Sequence, residues 1–230
     1  MNRDLRQGHR WAIEEREYAR HERRRRRRFA YERLCARRTA LVAVDLVPFF
    51  VEGSAFAPAV VPRVRELADV TRAAGGTVAW VLPARAERSG EWAVEFYGVR
   101  AAEQYRLAGG SGAPAQRLWP GLETGPDDLV VEKSAPSAFF PGHCPLPGLL
   151  RARGVDTVIV CGLVTDVCVA ATVRDAATLG YRAVLVADAS ATRSDAAHNA
   201  ALATVYRSFG DVRSTAEVVR LLDGKSAGSV

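Results

Sequence analysis

The sequence predicts a three-layer, Rossmann-like α/β protein, with a mostly parallel sheet of five or six strands, helices on both faces and an Arg-rich helical arm in front. Three observations carry the prediction. Short Val-rich runs alternate with helical patterns, glycines follow those patterns where helix ends favour them, and the positive charge is confined to the first 38 residues. Residues 1–38 hold 14 Arg and no Lys against 6 acidic residues, for +8, whereas 39–230 hold 18 basic against 20 acidic residues, for −2. The net charge of +6 therefore belongs to the arm (1–38) and not to the body (39–230).

The arm comes first. From about residue 5 to 37 the chain is charged and free of Pro and Gly after Gly8, which favours helix, with Trp11, Tyr18 and Phe29 as scattered apolar anchors. The run from Arg23 to Arg28 repels itself in isolation, so the default expectation is a solvated helix. The alternative is a segment ordered by packing on the body or on a second subunit. Strands are expected at 40–44, 77–82, 129–131, 157–161 and 183–187, each short enough to be buried on both faces. Helices are expected at 59–74, 146–153, 166–179, 194–209 and near 214–222. Residues 84–126 are rich in Gly and Pro and lack periodicity. So long an irregular connection is expected to be functional, here as active-site cover.

With 230 residues, 48% of them hydrophobic and 25% charged, the chain can bury one sizeable core. Cys35, Cys144, Cys161 and Cys168 lack zinc-site spacing and are too few for a disulfide scaffold, so a reducing cytoplasm is expected. No run of about 18 apolar residues is present, and Glu14, Glu15, Glu17, Glu22 and Glu32 argue against a transit peptide; neither a membrane span nor a targeting signal is expected.

Ligands of open parallel sheets collect at the carboxyl ends of the strands. Three reactive residues fall at such ends: Asp45 closes the first run, Lys133 closes the third, and Cys168 follows the fourth by one turn, in the first turn of an expected helix. A helix N-terminus favours thiolate over thiol, although an inert core thiol is the alternative at this point. A carboxylate placed after five apolar residues needs a cation or a proton nearby, and Lys133 and Cys168 could supply them. His9, His21, His143 and His198 show no convergent spacing and are assigned no role.

Asp45 to Phe50, Lys133-Ser134-Ala135-Pro136-Ser137-Ala138-Phe139-Phe140, Gly162 to Val169 followed by Ala171-Thr172-Val173-Arg174-Asp175-Ala176, then Gly180-Tyr181 and Asp188-Ala189, resemble the isochorismatase-like cysteine hydrolases over about residues 39–222. The resemblance implies Asp45 as general acid/base, Lys133 as its charge partner and Cys168 as nucleophile. It also implies a non-proline cis peptide at Leu163–Val164, aiming the Val164 N–H, with that of Cys168, at one oxyanion. Phe50, Trp92, Phe139 and Leu163 are expected to bind substrate.

The reaction implied is hydrolysis of a C–N bond in a small amide, carbamoyl or ureide substrate through a thioester. One alternative is an isochorismatase-type vinyl ether hydrolase using Asp45 as acid. Another is a non-catalytic scaffold whose basic arm binds anions. Relatives often read Asp-x-Gln where this chain has Asp45-Leu46-Val47, so a less polar substrate is expected there. Nicotinamidase metal ligands have no counterpart in residues 81–87, which contain no His; no metal and no cofactor are expected. A homodimer or homotetramer is expected. A nucleic-acid partner is disfavoured because the arm interleaves acids with its arginines.

Overall fold

The structure, a computed structural model, describes residues 7–87 and 89–224. Residues 5–6 of the expected arm helix and 225–230 of the body lie outside the described residues. The expected runs form β1 (Thr39–Val44), β2 (Thr77–Pro83), β3 (Leu129–Lys133), β4 (Thr157–Leu163) and β5 (Arg182–Ala191), and a sixth strand, β6 (Asp211–Arg213), completes the sheet. All neighbours pair in parallel, in the order β3-β2-β1-β4-β5-β6. The order reverses between β1 and β4, which opens a crevice at their carboxyl ends.

Strand pleating sorts the apolar residues into two layers. Ala40, Val42, Val44, Val158 and Val160 face α6 (Leu146–Ala152), α7 (Ala170–Thr178) and α8 (Asp195–Ser208). Leu41, Ala43, Val78, Trp80, Ile159 and Cys161 face α2 (Pro48–Glu52), α3 (Ala57–Ala73) and α9 (Thr215–Leu222). Because every residue of β1 and β4 is buried, these strands read as continuous apolar runs rather than alternating ones. Helix starts carry their own signals: Ser194 Oγ accepts from the Ala197 N–H, and Ser214 and Glu217 form a reciprocal cap on α9.

Two expectations are corrected. Residues 84–126 are not without helix, since they contain α4 (Glu91–Tyr97) and α5 (Val99–Leu107). Their aromatic residues meet one another instead of forming a core-facing stripe, with Trp92 stacked on Phe96 and Tyr97 tilted onto Tyr105, which hid the helical period. The arm is not a solvated helix. Among the described residues its α-helix is α1 (Glu15–Arg25), and the segment packs on the body across the open edge of the sheet. Trp11, Ile13, Tyr18 and Phe29 join the α8-side layer, while Tyr31 and Leu34 join the α3-side layer. The buried Asp211 of β6 accepts the Ala30 and Tyr31 N–H groups at 2.8 and 2.9 Å, and Glu17 pairs with Arg207 of α8. The Arg run does not repel as a block because Arg28 lies over the Tyr18 ring and reaches Glu15, while Arg25 lies 3.6 Å from Asp211. This cover also shields an edge strand that would otherwise be open to further pairing.

At Gly162 the backbone adopts a φ of +115°, and the ladder between β4 and β5 shifts register there. An added Cβ would meet the Val44 carbonyl oxygen well inside contact distance and the Val44 nitrogen at 2.8 Å. Gly162→Ala is therefore expected to cost on the order of 3 kcal/mol in urea unfolding. A loss below about 1 kcal/mol would show that β1 and β4 can separate at little cost.

Candidate active site

The crevice between β1 and β4 receives one reactive side chain from each of three segments. Asp45 follows β1 directly, in a left-handed conformation (φ +56°), and its N–H still donates to the Val81 carbonyl at 2.8 Å, which anchors the residue to β2. Cys168 comes from the wide helical turn Thr165–Val169 that joins β4 to α7. The Leu163–Val164 peptide entering this turn is cis, as the resemblance implies. Lys133 ends β3, which lies two strands from β1, roughly 10 Å at the usual strand spacing. Only a long side chain can span the end of β2 from there, and Lys133 does so.

Lys133 Nζ lies 2.8 Å from Asp45 Oδ2, 3.6 Å from Cys168 Sγ and 3.2 Å from the Ala135 carbonyl oxygen. All three residues are buried, with Asp45 at 0%, Lys133 at 5% and Cys168 at 9% exposure. Neither Asp45 oxygen takes a well-directed hydrogen bond from a donor among the described residues, so charge attraction holds the Lys133 pair and lone pairs remain for a thiol proton.

Burial raises the Asp45 carboxyl above the usual carboxylate range, against the opposing pull of Lys133. Burial acts to lower Lys133, but the Asp45 and Cys168 charges outweigh it and hold the ammonium above the usual lysine value. Burial first, then the Asp45 charge, push the Cys168 thiol up to about 12. This reverses the expectation that the turn would favour a resting thiolate. Desolvation and the adjacent carboxylate outweigh the help that Lys133 gives, so Cys168 rests as a thiol beside a base of raised pKa.

The remaining expected site residues are placed differently. Phe50 is half-buried beside Phe49, next to the α3-side layer. Trp92 is 64% exposed on α4 and packs on Phe96 and Tyr97. Phe139 is fully buried in the same layer as Cys168, tilted against Tyr181. The Leu163 side chain is buried in the opposite layer, because strand pleating turns it away from Cys168, and only its backbone enters the turn. Val47, which stands where relatives often carry Gln, is likewise buried in the α3-side layer. The N–H of Trp119 in the cover donates to the Leu46 carbonyl at 2.8 Å, which fastens the cover beside Asp45. A cavity of about 480 Å³ lined by Ala84, Glu132, Ser134, His143 and Cys144 flanks Lys133 along its strand. Another, of about 370 Å³, surrounds Arg72 and Trp80, and neither cavity is lined by any of the three reactive residues.

Sequence reasoning missed two histidines. His9 of the arm and His198 of α8 stack at 4.3 Å beside the turn Thr165–Val169, and His198 Nδ1 lies 2.9 Å from Thr165 Oγ1. A separation of 189 positions left no spacing signal by which to find them. Among the described residues, no three His, Cys, Asp or Glu side chains group as a metal-binding set, and no helix is long and apolar enough to cross a membrane.

A parallel sheet with order 3-2-1-4-5-6 and a Cys, Asp and Lys converging at its switch point is the architecture of an α/β cysteine hydrolase. The isochorismatase domain model matches residues 39–217, and the chain belongs to the isochorismatase family, a family of hydrolytic enzymes. It is 33% identical over 187 residues to the ureidoacrylate amidohydrolase RutB of Methylobacterium radiotolerans, covering 75% of this chain and 70% of that protein. The structure of a cysteine hydrolase from Pseudomonas syringae pv. phaseolicola superposes with a TM-score of 0.73 at 27% identity, over 85% of this chain and 97% of that one. The structure of N-carbamoylsarcosine amidase from Thermoplasma acidophilum does so with a TM-score of 0.62 at 29% identity, over 77% and 96%.

Proposed function

We propose that the protein hydrolyses the C–N bond of a small amide, carbamoyl or ureide substrate through an acyl-Cys168 thioester. The observation that carries this reading is the buried line of Cys168 Sγ, Lys133 Nζ and Asp45 Oδ2, with separations of 3.6 and 2.8 Å. The C–N bonds that the ureidoacrylate and N-carbamoylsarcosine relatives are named for cleaving support the same class.

Asp45 takes the Cys168 proton as sulfur attacks the substrate carbonyl. A thiol held near 12 ionises only as it reacts, and a carboxylate of raised pKa is the stronger base for that transfer. Lys133 stays charged beside both groups and stabilises the developing thiolate. The tetrahedral oxyanion lies against the N–H groups of Val164 and Cys168. Asp45 returns the proton to the departing nitrogen, which releases the amine or ammonia and leaves the thioester. It then takes a proton from water as the hydroxyl adds to the acyl carbon, and the thiol is restored as the carboxylic or carbamic acid departs.

The test uses a Cys35→Ser/Cys144→Ser background, since Cys35 is exposed and Cys144 partly so, and both would consume reagent before the buried Cys168. Amine release from ureides, N-carbamoyl amino acids and primary amides is followed before and after one equivalent of iodoacetamide adds to Cys168. Activity is expected to vanish in step with modification, and full turnover by the modified enzyme would discard the mechanism. Asp45 must be unprotonated to act as base, so kcat/KM is expected to fall as pH drops through its raised value. The acid limb should therefore lie above the ordinary carboxyl range near about 4; a limb at or below that value would show that another group is the base.

A further inference from the structure

We propose that the arm is a working part of the active site, in which His9 is a positioning residue that holds the turn presenting Cys168. The inference rests on Cys168 being the nucleophile, as proposed above. His9 precedes the family-matched region by 30 positions, yet its side chain is 1% exposed and lies at the catalytic end of the sheet. Its ring is stacked between Phe56, at 3.9 Å, and His198, at 4.3 Å. Nδ1 lies 2.7 Å from Asp195 Oδ1 at the start of α8, and Nε2 accepts the Thr192 N–H at 3.0 Å. That acceptor role fixes the tautomer, with the proton on Nδ1 donated to Asp195.

Two connections lead from this ring to the nucleophile turn. Thr192, held by His9 through its N–H, donates its hydroxyl to Asp166 Oδ1 at 2.6 Å, and its carbonyl accepts from Ser54 Oγ at 3.0 Å. His198, stacked on His9, meets Thr165 Oγ1 at 2.9 Å, and burial holds its imidazole down at about 3, so it remains a neutral partner. Thr165 and Asp166 open the same turn that carries Cys168. The neighbouring arm residues add backbone ties, since the Ala12 N–H donates to Asn199 Oδ1 and Asn199 Nδ2 donates to the Arg10 carbonyl. The body alone places the turn at the end of β4; the arm limits how far the turn can shift against Asp45 and Lys133. Displacement of a reacting group by about 1 Å can cost on the order of 100-fold in rate.

The full chain in the Cys35→Ser/Cys144→Ser background is compared with His9→Phe, which keeps the stack and removes the acceptor, with His9→Gln, which restores an acceptor, and with Tyr18→Ala, which weakens the arm far from the turn. Hydrolysis of N-carbamoylsarcosine and ureidoacrylate is measured together with the second-order rate of Cys168 alkylation by iodoacetamide. His9→Phe is expected to lower kcat by about tenfold or more with KM changed less than threefold. The loosened turn should raise Cys168 alkylation at least threefold, while the fully buried Cys161 stays unmodified as evidence of an intact body. Partial recovery of kcat is expected in His9→Gln, and Tyr18→Ala should keep the parental kcat. An unchanged kcat and alkylation rate in His9→Phe would overturn the positioning role, as would an equal kcat loss in Tyr18→Ala. If the parent turns over neither compound, the alkylation rates decide alone. Retained turnover in Cys168→Ala would instead remove the reaction on which the inference rests.

Discussion

Cys168→Ala is expected to reduce C–N hydrolysis by a factor on the order of 10⁴–10⁶, the loss seen when the nucleophile of a covalent mechanism is removed. The side chain is small and 9% exposed, so its truncation deletes one sulfur without opening a large cavity, and the melting temperature is expected to stay within a few degrees. Cys168→Ser should be nearly as inactive. A hydroxyl ionises less readily than a thiol, and the same burial that raises the thiol acts on it. Denaturing mass spectrometry of the parent during turnover should show an acyl adduct on Cys168, absent in both variants. Retained turnover in Cys168→Ala combined with loss in Asp45→Ala would replace the thioester route with acid catalysis by Asp45, the chemistry of vinyl ether hydrolysis.

Lys133→Met is expected to be the most destabilising change at the site, by about 3–5 kcal/mol near pH 8, because it leaves a fully buried carboxylate without its cation. The sign follows from Asp45, whose carboxyl is already raised by burial and should rise further without the ammonium. A carboxyl whose folded value lies above its unfolded value keeps its contribution to stability below the unfolded value, near about 4. That contribution is lost as pH rises through the folded value. Urea unfolding should therefore bring Lys133→Met close to the parent at pH 4.5 and leave it furthest below at pH 8. Asp45→Asn combined with Lys133→Met should recover most of the loss and flatten the pH dependence. An equal deficit at both pH values would mean that lost packing, not an unpaired charge, governs the change.

Much of the body was legible in the residues. Continuous Val-rich runs marked β1, β2, β4 and β5 because these strands are buried on both faces, and Ser194 and Ser214 stood where α8 and α9 are capped. Strand β6 was missed because three residues, two of them charged, contain no apolar run. Helices α4 and α5 were missed because their aromatic residues pack on each other. The burial that holds Cys168 as a thiol could not be read from its position in a turn, since desolvation depends on what covers the sulfur.

The amino-acid order by itself determined the strand-end placement of Asp45, Lys133 and Cys168, because strand and helix periodicity are local properties of the chain. It also confined the positive charge to residues 1–38. Tertiary structure alone decided three things: Lys133 reaches across β2 to pair with Asp45, the arm lies along the β6 edge instead of in solvent, and His9 meets His198 next to the turn that carries Cys168. Each joins residues from distant parts of the chain, and such contacts depend on how the layers stack.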